Sequence, residues 1–161
     1  MIAAAVYERV PLLVEAVKRA KSGAATLADE QAIYAALLPV AARARADHGG
    51  ACSIALVPRR APGAHASLAA VGARLCSALG VRPVSLARVA RPMGGVVRLG
   101  RCRFAAREHA RTMACVRVRG PVLVLDDVAT TGATMAGACA AVRAAGVLPI
   151  ACALLLSGRH T

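Results

Sequence analysis

Aromatic side chains are nearly missing from this chain of 161 residues, which has no Trp, one Phe (Phe104) and two Tyr (Tyr7 and Tyr34). That scarcity excludes a single-strand nucleic-acid platform built by stacking bases on rings. It also leaves the core to Val, Leu, Ile and Ala, which suits a parallel sheet covered by helices. Apolar residues still make up 58% of the sequence, much of it alanine, and the length is enough for one domain with a real core. Long hydrophobic runs are missing as well. The longest, Val147 to Leu156, contains Pro149 and is too short to span a bilayer. No basic segment precedes the N-terminal apolar run, which Glu8 and Glu15 interrupt, so a secretory signal is not expected. The cysteines Cys52, Cys76, Cys102, Cys115, Cys139 and Cys152 include no Cys-x-x-Cys pair, which excludes a zinc ribbon. They read as small core residues of a reducing compartment. His48, His65, His109 and His160 lack metal-ligand spacing. Together these features predict a cytoplasmic protein without a membrane partner.

Acidic residues are scarce too. Eight Asp and Glu stand against 21 Lys and Arg, for a net charge of +13. Only Lys18 and Lys21 are lysines. Between Arg82 and Arg119 arginine recurs with a single acid, Glu108. One account is an arginine-rich solvated surface. The other is an anion-binding loop for a pyrophosphate group or for nucleic acid.

Against that background, two adjacent carboxylates stand out. Val122-Leu123-Val124-Leu125 runs into Asp126-Asp127, then Val128 and the small-residue loop Ala129-Thr130-Thr131-Gly132-Ala133-Thr134. The apolar run predicts a strand buried on both faces. Asp126 and Asp127 are expected to emerge at its C-terminal end, where open α/β sheets bind ligands. There they can accept hydrogen bonds from a sugar diol. Residues Ala129 to Thr134 can wrap a phosphate with backbone N–H groups and hydroxyls at a helix N-terminus, with Gly132 allowing close approach. A plain strand-to-helix turn capped by Asp127 or Thr131 is the simpler alternative. It leaves the second Asp and the Thr-Thr-Gly-Ala-Thr run without a role.

Periodicity places the other elements. Residues 7–20 have helical spacing and end near Gly23. Thr26 or Asp29 can cap a second helix running to about Asp47, which His48-Gly49-Gly50 breaks. Cys52 to Val57 reads as a strand. Ser67 to Leu79 reads as a helix with Leu68, Val71, Leu75 and Leu79 on one face, and Gly80 follows its end. Val81 to Val89 is the next strand, with Pro83 suggesting an edge position. Ala90 to Arg111 shows no periodicity, and a loop that long is usually functional or mobile. Met113 to Arg119 is a short strand, Ala133 to Ala145 a helix closed by Gly146, and Val147 to Leu156 the last strand. This order predicts an α/β fold with a mostly parallel central sheet flanked by helices. It is read as one domain over 1–161, with an N-terminal helical part (1–50) and a core (51–161).

Residues 122–134 resemble the phosphoribosyl pyrophosphate (PRPP) motif of type I phosphoribosyltransferases. The resemblance to the ComF family, a phosphoribosyltransferase-like group linked to DNA uptake, covers nearly the whole chain. The segment Val6 to Lys18 is similar to that family's tyrosine-led amphipathic helix ending in lysine. Val57-Pro58 followed by Arg59-Arg60 resembles its basic strand end, and the Arg-rich tract also corresponds. Zinc-ribbon cysteines, an Arg-Gly-Phe-Asn-type segment and an Arg…Asn loop pattern, all features of that family, are absent from this chain.

The resemblance implies a type I phosphoribosyltransferase-like fold that binds PRPP with Mg²⁺ and transfers its phosphoribosyl group to a small-molecule acceptor, a base or an amine. Asp126 and Asp127 would be the catalytic carboxylates. Ala129, Thr130, Thr131, Gly132, Ala133 and Thr134 would hold the 5′-phosphate, with Thr134 equally readable as an ordinary first-turn residue. Arg59 and Arg60 would meet pyrophosphate or simply cover a solvated turn. Arg88, Arg91, Arg98, Arg101, Arg103 and Arg107 are candidates to close over the ligand. Two other functions share the fold: an accessory that binds single-stranded DNA or competence proteins through the arginine loop, and a PRPP-sensing regulator. A homodimer is the default assembly.

Overall fold

The run Val122 to Leu125 lies at the centre of a sheet, and all four side chains are buried. A computed structural model gives the fold, described for residues 2–6, 9–50, 52–58, 66–88, 113–116, 118–129 and 132–156. The elements are β1 (Ile2–Val6), α1 (Pro11–Ser22), α2 (Leu27–Asp47), β2 (Ser53–Leu56), α3 (Ala66–Leu79), β3 (Arg82–Pro83), β4 (Leu86–Arg88), β5 (Met113–Cys115), β6 (Val122–Ala129), α4 (Ala133–Ala144) and β7 (Pro149–Leu156). Five strands form one sheet in the order β1-β7-β6-β2-β3, and β4 and β5 form a separate pair. Every pairing in the large sheet is parallel, while β4 and β5 are antiparallel. The expected α/β architecture with a parallel centre and flanking helices is the observed one.

Alternation along β6 divides the core in two. Leu123 and Leu125 pack with Val14, Val17, Ile33, Leu37, Val71 and Leu75 of α1, α2 and α3. Val122 and Val124 pack with Met135, Ala138 and Val142 of α4. The helices bury their apolar residues against the sheet and, in α2, largely against α1 and α3.

Local signals account for the helix ends. Pro11 opens α1, where a missing N–H costs nothing. Gly23, at φ 78°, closes it in the left-handed conformation. Thr26 and Asp29 together form a capping box on α2: Thr26 accepts from the Asp29 N–H, and Asp29 accepts from the Thr26 N–H. The sequence offered the two as alternatives, and the fold uses both.

Three expectations change. Residues 2–6 are not part of a helical N-terminal region: β1 pairs with β7 from Ile2↔Cys152 to Val6↔Leu156. The first helix therefore starts at Pro11 rather than at Tyr7. The 81–89 segment is not one strand. Arg82–Pro83 edges the main sheet on β2, as Pro83 predicts, while Leu86–Arg88 pairs with β5. The strand expected over 113–119 is shorter, because pairing with β4 ends at Cys115 and Val116 is exposed.

Candidate functional site

The acidic pair sits inside β6, not beyond it. On one side β6 pairs with β7 as far as Ala129↔Leu156. On the other side its pairing with β2 ends at Leu56↔Leu125, and the Val57 N–H donates to the Leu125 carbonyl at 2.8 Å. From Asp126 onward β6 has a paired edge and an edge that has left the ladder. The strand order explains why this matters. From β2 the chain crosses through α3 to β3, towards one edge of the sheet. From β6 it crosses through α4 to β7, towards the other. The gap between β2 and β6 is therefore the switch point at which open parallel sheets take ligands, beyond the strands' carboxyl ends.

A cavity of about 260 Å³ opens at that point. Leu56, Val57 and Pro58 line it from the end of β2, Leu68, Val71, Gly72 and Leu75 from α3, Leu37 from α2 and Leu86 from β4. Asp126 and Asp127 give its described wall its carboxylates. A Cβ on Gly72 would stand 2.9 Å from Leu56 Cδ1, the end of a flexible side chain, so any side chain there requires Leu56 to shift.

The two carboxylates are held differently. Asp127 continues the Leu123–Leu125 face, its side chain only 7% exposed, and its Oδ1 lies 3.0 Å from Lys21 Nζ at the end of α1. Asp126 continues the Val122–Val124 face, is half-buried, and its Oδ1 accepts the Asp127 N–H at 2.9 Å. After the pair, Gly132 adopts φ 71° and leads straight into α4 with no side-chain cap. Ala133 and Thr134 form the first turn of α4, where the helix dipole favours an anion.

Arg59, Arg60, Thr130, Thr131, Arg91, Arg98, Arg101, Arg103 and Arg107 lie outside the described residues, as does the side chain of Arg88, whose backbone ends β4. His65, His109 and His160 also lie outside them. Asp126, Asp127, Ala129, Gly132, Ala133 and Thr134 follow one another through the end of β6 into α4, beside the β2 end. Lys21 was not among the expected residues. Its only local signal is a cation in the last turn of a helix, which reads as a dipole partner. Its approach to Asp127 depends on the packing of α1 over the sheet.

Burial pushes the Cys152 thiol up to about 11 and raises Cys76 and Cys139, which are buried, and Cys52 and Cys115, which are partly buried. Among the described residues, no group of three His, Cys, Asp or Glu side chains is placed to hold a metal ion. No described helix is long and apolar enough to cross a membrane.

Comparison with family models and with curated proteins finds no match to this chain. Among solved structures, a crystal structure of adenine phosphoribosyltransferase superposes on 83% of this chain and 72% of that one, with a TM-score of 0.52 and 18% sequence identity. The shared part is the fold: an α/β protein with a parallel central sheet flanked by helices, as in that structure.

Proposed function

We propose that this chain binds PRPP in the crevice between β6 and β2 and transfers its phosphoribosyl group to a nitrogen of a base or an amine. The observation that carries the reading is the departure of Asp126–Asp127 from the β2 ladder at the switch point, followed at once by the left-handed Gly132 and the start of α4. A diol acceptor and an anion-binding turn thus follow each other on one strand–loop–helix unit, as a ribose 5-phosphate requires. In the reaction, the bond from C1′ to the pyrophosphate oxygen breaks and a bond from C1′ to the acceptor nitrogen forms. Pyrophosphate leaves with the electron pair, and the acceptor nitrogen loses its proton.

In this reading Asp126 accepts the ribose hydroxyls and stabilises the positive charge that develops at C1′, with Asp127 behind it in the wall. The 5′-phosphate lies along Ala129 to Thr134. Mg²⁺ suits the site only as a ligand-borne ion. The described residues offer it a carboxylate at Asp126 but no protein cage, and Mg²⁺ keeps waters and substrate oxygens. When bound, it would neutralise charge on the departing pyrophosphate. The cavity is large for the acceptor: about 150 Å³ holds a benzene ring, and this one measures about 260 Å³. Its largely aliphatic described wall fits a flat, uncharged ring.

The ComF-type assignment is part of the same proposal, carried by the sequence likeness of Val6 to Lys18 and Val57-Pro58, although Val6 closes β1 and the helix of that segment begins at Pro11 rather than at the tyrosine. Pyrophosphate release from PRPP and Mg²⁺, measured against a panel of purines, pyrimidines and amines, tests turnover. Release with one acceptor class is the expected result. Saturable PRPP binding with no release for any acceptor would point instead to a sensor, and no binding at all would overturn the reading.

A further inference from the structure

The acidic pair is not symmetric, and the asymmetry has a cause outside the motif. A carboxylate as buried as Asp127 needs a compensating charge, and Lys21 Nζ is 3.0 Å from its Oδ1. Lys21 itself is held in place by the corner between α1 and α2. Arg19, two residues before it, donates to Asp29 through Nε at 2.9 Å and Nη2 at 2.5 Å. The same Asp29 carboxylate accepts the Thr26 N–H and hydroxyl, each at 2.9 Å. Ala24 N–H returns to the Arg19 carbonyl at 2.9 Å. One fork-shaped ion pair and one capping box thus fix the last turn of α1, and that turn carries Lys21 to the acidic pair. Arg is suited to such a bidentate anchor, and Lys to a point charge at the end of a flexible stem.

We propose that Lys21 is a positioning residue of this site. It neutralises Asp127 and holds it to the α1–α3 layer, with Asp126 as the carboxylate that meets the ribose diol. The inference rests on the PRPP reading above. Its consequence is electrostatic. PRPP carries several negative charges, and an Asp127 carboxylate without its cation would repel it. Lys21 offsets that charge from the end of α1. The second acid can then be kept as an anchored strut, while the first does the hydrogen bonding.

A double-mutant cycle tests this, read by titration of PRPP with Mg²⁺ into wild type, Lys21→Met, Lys21→Arg, Asp127→Asn and the double variant Lys21→Met/Asp127→Asn. Losing the cation alone should weaken binding about tenfold. Lys21→Arg, which keeps the charge, should bind within about threefold of wild type, as should the neutral pair in the double variant. Restoration by the second mutation is what a merely structural lysine would not show. A double variant that binds as weakly as Lys21→Met would mean that Lys21 touches the ligand itself, and would overturn the proposal. So would a Lys21→Met protein that binds like wild type. If Lys21→Met does not fold, the double variant and Lys21→Arg still decide, because both must bind normally. No binding by wild type would instead sink the PRPP reading on which this one stands.

Discussion

The two faces of β6 carry the same kind of core and opposite kinds of carboxylate. Towards α1, α2 and α3, Leu123 and Leu125 are sealed, and the next residue on that face, Asp127, is sealed with them against Lys21. Towards α4, Val122 and Val124 are equally buried, but the next residue, Asp126, stays half-exposed and leans on the backbone. Neighbouring carboxylates on one strand thus meet different surroundings because side chains alternate. A pair of like acids in sequence need not be a pair in chemistry.

That contrast can be broken from either side. The largest effect is expected from Leu75→Ala. Leu75 is fully buried on α3 and also lines the cavity, so the change should cost about 2–5 kcal/mol of stability and weaken ligand binding with it. Thermal unfolding and PRPP titration measure both. On the opposite face, Val142→Ala should cost about 2 kcal/mol by the methyl groups it unburies and leave PRPP affinity unchanged, since Val142 of α4 faces only the core. Equal losses of affinity in the two variants would erase the distinction between the faces.

Gly72→Ala should separate packing from ligand binding. Alanine gains about 1 kcal/mol of helix propensity. The contact with Leu56 Cδ1 costs about 1–3 kcal/mol of overpacking, less if Leu56 turns away. Net stability should change little, while the displaced Leu56 narrows the cavity and weakens acceptor binding. A variant with wild-type acceptor affinity would show that the acceptor does not use this wall.

The smallest effect is a pH dependence at the α1–α2 corner. The Arg19 guanidinium, with help from the Thr26 N–H, holds the Asp29 carboxyl well below the usual range. A lowered folded-state value means that the contribution to stability is complete above the unfolded value, near 3.9, and is lost as pH falls through the folded value. The melting temperature should therefore drop on acidification below about pH 4, and drop less in Asp29→Asn. Equal acid sensitivity in the two proteins would remove Asp29 as the anchor of that corner.

Much of this architecture is legible in the sequence, and the parts that are not share a physical reason. Val122 to Leu125 announces a buried strand because four consecutive apolar residues suit only a sheet covered on both sides. Gly23, Gly80 and Gly146 mark chain reversals at helix ends, and all three have positive φ. By contrast, Ile2-Ala3-Ala4-Ala5-Val6 carries three strong helix formers, and only its pairing with β7 makes it a strand. The 81–89 segment reads as continuous because nothing local reveals that its halves pair with different partners. In the site, the acidic pair and the glycine turn are local and therefore readable. The Lys21–Asp127 contact joins residues from opposite ends of the chain, and no spacing rule reaches it.

The most direct test is calorimetric titration of PRPP with Mg²⁺ into wild type, Asp126→Asn and Asp127→Asn at moderate salt. The account predicts saturable binding by wild type, a loss of about a hundredfold or more in Asp126→Asn, and a change within about threefold in Asp127→Asn. Unchanged affinity in Asp126→Asn, or a greater loss in Asp127→Asn than in Asp126→Asn, would contradict it.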